Sequence, residues 1–267
     1  MPSLTVHCLV KNEDRFIWYA IKSVVDFVDQ VLVFDTGSTD ETVEIIKELR
    51  SLYPNKILFE AKGECDKRRH TLLRQEMIER TNTSWFMILD GDEVWTRRAI
   101  REALETMRTR TNLECLIAPF YLCVGDIYHK SRYGQYVLNG KKAHATPRFF
   151  KKTTGIHWDG EYNNDAVIDG SGVKVFEKEH VAWLTDHFWH LTHLIRSSGS
   201  GEEFSSGSVR KDKRRLTYFL VGKKINEEIP EVFLIKPQPK YIQRLSFLRS
   251  FINLLKLLAF KFLTSIS

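Results

Sequence analysis

Cysteine is sparse and never closely paired. Cys8, Cys65, Cys115 and Cys123 are scattered through 267 residues, which excludes a disulfide framework and the short paired spacings of zinc sites. They fit reduced thiols in a cytosolic protein. The opening Met-Pro-Ser-Leu-Thr-Val-His-Cys lacks a basic start followed by an apolar core, so no signal peptide is expected. Internal repeats are absent. Long apolar runs are missing too. The late segment 241–266 is interrupted by Arg244, Arg249, Lys256 and Lys261, which argues against a helix that spans a bilayer.

What remains is enough for a sizeable core. Hydrophobic residues make up 43% of the chain and charged residues 28%, an ordinary soluble composition. The length permits one large domain, or one domain with an appendage. The net charge of +6 is unevenly placed. Residues 209–267 hold 13 Lys or Arg against 4 Asp or Glu, while the rest hold 27 against 30. The basic character belongs to the C-terminal end and predicts an anionic surface there, either membrane or nucleic acid.

Apolar periodicity predicts alternating strands and helices. Strands are expected over 4–10, 31–34, 57–59, 85–89 and 113–122, and helices over 16–27, 38–49, 67–80 and 98–108. Ser38 and Glu41 have capping-box spacing. Leu72, Leu73 and Met77 are expected to face inward from the third helix. The result is an α/β class: a mostly parallel sheet with helices on both faces. Right-handed crossovers then put Asp35 and Asp90 on one rim. After Tyr121 the rhythm breaks, and residues 124–185 read as the variable substrate side of a rigid scaffold. Short strands are expected at 148–150 and 188–194. The Ser/Gly-rich stretch 197–208 reads as a flexible lid or linker, and a basic helix is expected over 209–225.

The stretch from Trp85 to Trp95 organises the chain. Five apolar residues run into Asp90-Gly91-Asp92, with Glu93 beside them. Carboxylates at the carboxyl end of a buried strand sit where open α/β sheets bind ligands. Two acids this close repel unless a cation joins them, and hard oxygen ligands suit Mg²⁺ or Mn²⁺. Gly91 leaves room for a ligand and lets the backbone bend.

Four segments together resemble family 2 glycosyltransferases of the GT-A (Rossmann-like) fold. They are Cys8-Leu9-Val10-Lys11-Asn12-Glu13, then Val33 to Thr42 with its Asp-Thr-Gly-Ser-Thr-Asp run, then Asp66 with Arg69-His70 and Leu73, and finally Leu89-Asp90-Gly91-Asp92-Glu93. The resemblance covers residues 1–195. Within it the donor half is about 1–123 and the acceptor half about 124–195. A loop or lid at 196–208 and a basic helical region at 209–267 follow. His70 departs from the family, which often has Asn there.

The resemblance implies inverting transfer from a nucleotide-sugar donor, UDP-linked by default, with Mn²⁺ or Mg²⁺. It implies Asn12, Glu13 and Asp35 around the base and ribose, and Arg69 near the nucleotide or diphosphate. Asp92 is expected to touch the metal directly, and Asp90 the ribose or a metal-bound water. One imidazole often completes the metal shell in this fold, with His190 expected first and His193 second. His187, His190 and His193 do not read as a zinc site, because nothing nearby supplies a fourth ligand. An inverting enzyme also needs a carboxylate base. Asp165 is the first candidate, then Glu161, with Asp159 possible. Trp158 is a candidate sugar platform.

Residues 241–266 place Leu245, Leu248, Ile252, Leu255, Ala259 and Phe262 on one helical face. A basic amphipathic helix lying on an anionic membrane is expected; packing against protein is the alternative. The expected acceptor is a glycan or lipid-linked molecule of cell-envelope polysaccharide, lipopolysaccharide or lipid-linked glycan synthesis. The expected location is cytoplasmic, peripheral on the inner face of the membrane. A nucleotidyltransferase of similar fold is an alternative, but Lys11-Asn12-Glu13-Asp14 is not the Gly-rich triphosphate loop it wants. A non-catalytic membrane or nucleic-acid binder is another. Nucleic acid is weakly supported, since the cluster at 210–215 has no accompanying exposed aromatic motif.

Overall fold

The computed structural model describes residues 2–162, 164–194, 196–198 and 222–236. The chain runs β1 (Leu4–Val10), α1 (Ile17–Val24), β2 (Gln30–Asp35), α2 (Thr42–Leu52), β3 (Ile57–Ala61), α3 (Lys67–Arg80), β4 (Trp85–Ile88), β5 (Glu93–Val94), α4 (Arg97–Thr109) and β6 (Cys115–Leu122). Short strands follow: β7 (His129–Lys130), β8 (Tyr136–Leu138), β9 (Lys141–Ala143), β10 (Ala145–Lys151), β11 (His157–Asp159), β12 (Ala166–Ile168), β13 (Val181–Trp183), β14 (Phe188–His190) and β15 (Lys223–Lys224).

Among the described residues the main sheet has nine strands in the order β3-β2-β1-β4-β10-β6-β14-β5, with β13 also against β6. Strands β3, β2, β1 and β4 are parallel. Strand β10 runs antiparallel to both β4 and β6, so β6 points the same way as β4. The parallel set aims its carboxyl ends at one rim, where Val10, Asp35 and Asp90 lie. Side chains of β1 divide the two faces. Leu4, Val6, Cys8 and Val10 join α1, α2 and α4 in the main core, whereas Leu9 meets Leu32, Phe34, Leu73 and Met77 beneath α3.

Several local expectations are corrected. The capping box does not form: α2 starts at Thr42 after Glu41, which makes no side-chain cap. The Ser38 hydroxyl instead accepts the Asn12 N–H at 2.9 Å, and Asp40 Oδ1 accepts the Thr42 N–H at 3.0 Å. Leu72 faces solvent at 59% exposure, while Leu73 and Met77 are buried. The strand expected over 188–194 is only Phe188–His190. The helix expected to reach Ile225 does not, because Lys223 and Lys224 pair antiparallel with β7. Its residues 209–221, and the whole segment 241–267, lie outside the described residues.

Residues 222–236 return to the main core through Ile225, Val232 and Phe233. The Phe233 ring sits 4.9 Å from that of Tyr19. This explains why α1 is buried at seven of its eight positions: it is covered on more than the sheet side, as a helix apolar nearly all round must be.

Candidate active site

Two strand-end loops carry the residues expected around the nucleoside. Asn12 takes a left-handed backbone, φ 56°, which Asn tolerates better than most residues. Its side-chain oxygen accepts the Thr39 N–H at 2.8 Å. Asp35 is 3% exposed, and its Oδ2 accepts the N–H groups of Gly37 and Ser38 at 3.0 and 3.1 Å. Asn12 therefore ties the β1 loop to the β2 loop, while Asp35 holds the β2 loop's own turn. Arg69 is exposed, and its guanidinium donates to the carbonyls of Glu64 and Lys62 at 2.9 and 2.7 Å.

The Asp90-Gly91-Asp92-Glu93 turn closes with the Glu93 N–H on the Asp90 carbonyl at 3.0 Å. A β-carbon at Gly91 would stand 2.8 Å from Glu13 Cγ and 3.2 Å from Val10 Cγ1. Glycine is thus required by the close approach of β1's end. The three acids of the turn separate into different environments. Arg148 Nη2 lies 2.9 Å from Asp90 Oδ2 and also bonds Glu93 Oε1. Arg74 reaches Asp90 Oδ1 at 3.3 Å. Burial opposes ionisation of Asp90, but Arg148 and Arg74 outweigh it and hold the carboxyl well below the usual carboxylate range. Burial pushes Glu93 upward, to about 8, against the pull of Arg148 and with added repulsion from Asp90.

Asp92 is 2% exposed. His190 Nε2 lies 3.6 Å from its Oδ1, and Arg196 Nη1 lies 3.4 Å from its Oδ2. Arg196 also bonds Glu13 Oε1 at 2.6 Å. A single guanidinium therefore lets two buried carboxylates from different loops lie close together. Burial lowers the His190 pKa, opposed by Asp92. His193 lies in the turn after β14, half-buried.

A cavity of about 360 Å³ opens beside Asp90. Its wall includes Arg74, Arg148, His70, Trp158, Tyr162 and Asp165. His70 Nδ1 is 3.9 Å from Asp165 Oδ2, and the His70 and Tyr162 rings are 4.4 Å apart. The Arg74 guanidinium lies over Trp158 at 5.0 Å. Of the three candidate bases, Asp165 lines this cavity with Asp90. Glu161 and Asp159 are exposed and are not part of its wall.

The Glycosyl transferase family 2 profile matches residues 5–175. The chain belongs to glycosyl transferase family 2. It is 28% identical over 154 residues to the SPbeta prophage-derived glycosyltransferase SunS of Bacillus subtilis, covering 55% of this chain and 35% of that protein. The crystal structure of S. aureus TarS superposes with a TM-score of 0.50 at 14% identity, over 70% of this chain and 36% of that one. The latter shows likeness of fold. The chain thus spans about a third of the length of the curated relatives it matches.

Three arginines at the site, Arg74, Arg148 and Arg196, are absent from the sequence expectations. Arg148 was legible as a lone charge in the apolar strand Arg-Phe-Phe, next to Pro147, which cannot donate to a ladder. The β10–β6 register shifts between Pro147 and Phe149, and such a bulge re-aims a side chain. Arg74 gave no local signal, since its burial depends on Asp90. Arg196 gave no signal, since a single Arg beside a Ser/Gly-rich stretch looks like any loop residue. Among the described residues no three His, Cys, Asp or Glu side chains gather as a metal cluster.

Proposed function

We propose that the chain transfers a sugar from a nucleoside-diphosphate sugar, UDP-linked by default, to an acceptor hydroxyl with inversion. The observation that carries this is the shared cavity: Asp90, two guanidiniums and Asp165 line one pocket at the carboxyl rim of a family 2 sheet. Asp165 takes the acceptor proton, with His70 beside it. Arg74 and Arg148 keep Asp90 ionised to bind the donor, and their positive charge favours the diphosphate as it departs. Asn12, Glu13 and Asp35 shape the nucleoside end. The family match favours this reading over the nucleotidyltransferase alternative.

Asp92 and His190 fit a divalent cation, Mn²⁺ or Mg²⁺. A carboxylate oxygen and an imidazole nitrogen face each other at 3.6 Å, beyond hydrogen-bond length. Burial keeps the imidazole neutral, as a ligand must be. Two protein ligands suffice where donor phosphates supply others. When bound, such an ion offsets negative charge on the leaving diphosphate.

A thermal-shift panel of UDP, GDP, CDP and ADP, each with and without Mn²⁺, tests the proposal. One nucleotide should raise Tm far more with Mn²⁺ than without, and Asp92→Asn should remove the difference. No shift with any nucleotide sinks the reading.

The acceptor is proposed to be a glycan or lipid-linked molecule of cell-envelope synthesis. The proposal extends to place: peripheral association with the inner face of an anionic membrane through residues 241–267. Among the described residues no helix is long and apolar enough to cross a membrane. The basic, amphipathic pattern of 241–267 supports surface binding. Deleting that segment should release the protein from phosphatidylglycerol vesicles, and retained binding would refute it.

A further inference from the structure

Between Asp126 and Asp159 the chain contains no acidic residue, yet it holds seven Lys or Arg. Elsewhere in residues 1–208 acids outnumber bases, 30 to 20. Four of the seven are engaged. Arg148 holds Asp90 and Glu93, Lys151 and Lys152 donate to backbone carbonyls, and Lys130 lies over the Tyr121 ring at 3.9 Å. The other three, Arg132, Lys141 and Lys142, are exposed. Among the described residues they form no salt bridge; Lys141 only passes over the Trp183 ring at 5.1 Å.

These cations are interleaved with bare apolar surface. Tyr133 is 68% exposed, Tyr136 58% and Val137 70%. Strands β8 and β9 form a hairpin in which Val137 faces Lys142 across the pair. Its turn is Asn139-Gly140, with φ of 46° and 74°, the dipeptide two-residue hairpins prefer. The Asn139 amide donates to the Phe176 carbonyl at 2.7 Å, and Phe176 is a wall of the cavity. Strand β10, which carries Thr146, Pro147 and Arg148 into the same wall, follows β9 directly. The basic hairpin is therefore fastened to the rim of the cavity that holds Asp165.

We propose that this hairpin, with Arg132 and Tyr133, docks an acceptor chain that bears repeated negative charges, holding it so that one hydroxyl enters the cavity. The proposal rests on the transferase reading above and names the acceptor's chemical class. Cations that form no salt bridge among the described residues favour an anionic chain. Exposed tyrosines offer flat faces between the charges for sugar rings. A bilayer is the poorer occupant of this surface. The hairpin tip is the polar Asn-Gly pair and is tied back to Phe176, while the apolar side chains lie along the hairpin's length.

The test uses the full chain, with fluorescent dextran sulfate as the anionic polymer and neutral dextran of equal length as control. The wild type should bind dextran sulfate and not neutral dextran. The variant R132Q/K141Q/K142Q should bind about tenfold more weakly, as removal of three exposed charge contacts predicts, and its affinity should depend less on salt. UDP affinity with Mn²⁺ should be the same in both. If the triple variant does not fold, K142Q alone should weaken binding about twofold. Equal binding by wild type and variant overturns the inference. So does a variant that loses phosphatidylglycerol vesicles while keeping dextran sulfate. Failure of the wild type to bind any nucleotide would instead sink the transferase reading, a separately visible result.

Discussion

Arg148 and Glu93 are hydrogen-bonded where water is excluded: Glu93 is 0% exposed and the arginine 8%. The same guanidinium reaches Asp90 at 2.9 Å, so one side chain serves both the core and the cavity. Losing Arg148 leaves the buried Glu93 carboxyl without its hydrogen-bond donor and takes from Asp90 its shortest cation contact, and an unsatisfied buried polar group is costly. Arg148→Gln should therefore destabilise the fold by about 1–3 kcal/mol, read by urea denaturation. Arg148→Gln combined with Glu93→Gln should recover much of that loss. A double variant no more stable than the single one would show that the pair is not coupled.

Gly91 is held to glycine by space. A methyl group there meets Glu13 Cγ at 2.8 Å, and Glu13 cannot swing freely because Arg196 grips it at 2.6 Å. Gly91→Ala should cost about 1–3 kcal/mol as an overpacked site and weaken nucleotide binding through the displaced Glu13. Unchanged stability together with unchanged nucleotide affinity would contradict the close approach.

The contrast between Arg74 and Leu72 shows where sequence reasoning reached its limit. Hydrophobicity alone turns Leu72 inward and Arg74 outward. The helix does the reverse: Leu72 is 59% exposed and Arg74 9%, because Asp90, sixteen residues away, supplies the partner that a buried cation needs. That information is tertiary and no local window holds it. The Asp90-Gly91-Asp92 turn was legible because an apolar run that stops at acids has few other uses. The parallel β1–β4 core was legible because each strand and helix shows its own period. The return of residues 222–236 was not. A two-residue strand, Lys223–Lys224, has no period to read, and it is held by backbone pairing with β7.

His7 provides a pH test of the core. It is 1% exposed, stacked on Phe86 at 4.9 Å, with Nε2 2.6 Å from the Thr81 hydroxyl. Burial, aided by Arg74 and Lys152, lowers its pKa to about 3. The folded value lies below the unfolded one, about 6.5. Its stabilising contribution is thus fully present above pH 6.5 and is lost as pH falls from there toward 3. At pH 5.5 the loss is about 1.4 kcal/mol. Denaturation midpoints should fall between pH 7 and 5.5 in the wild type, and less steeply in His7→Gln. Parallel curves would show that folding does not shift the His7 pKa.

Asp165, Glu161 and Asp159 sit within seven residues of one another, but only Asp165 lines the cavity with Asp90. A general base must be within reach of the proton it removes, and geometry precedes pKa in choosing it. Asp165→Asn should lower kcat by about 10²–10⁴-fold while leaving UDP affinity and Tm near wild type. Glu161→Gln and Asp159→Asn should retain near-wild-type kcat, since both side chains face solvent. His70, 3.9 Å from Asp165, supplies the finer test. His70→Asn should leave donor KM unchanged and lower kcat, because it removes the ring that stands beside the base. A large kcat loss in Glu161→Gln with full activity in Asp165→Asn would move the base out of the cavity.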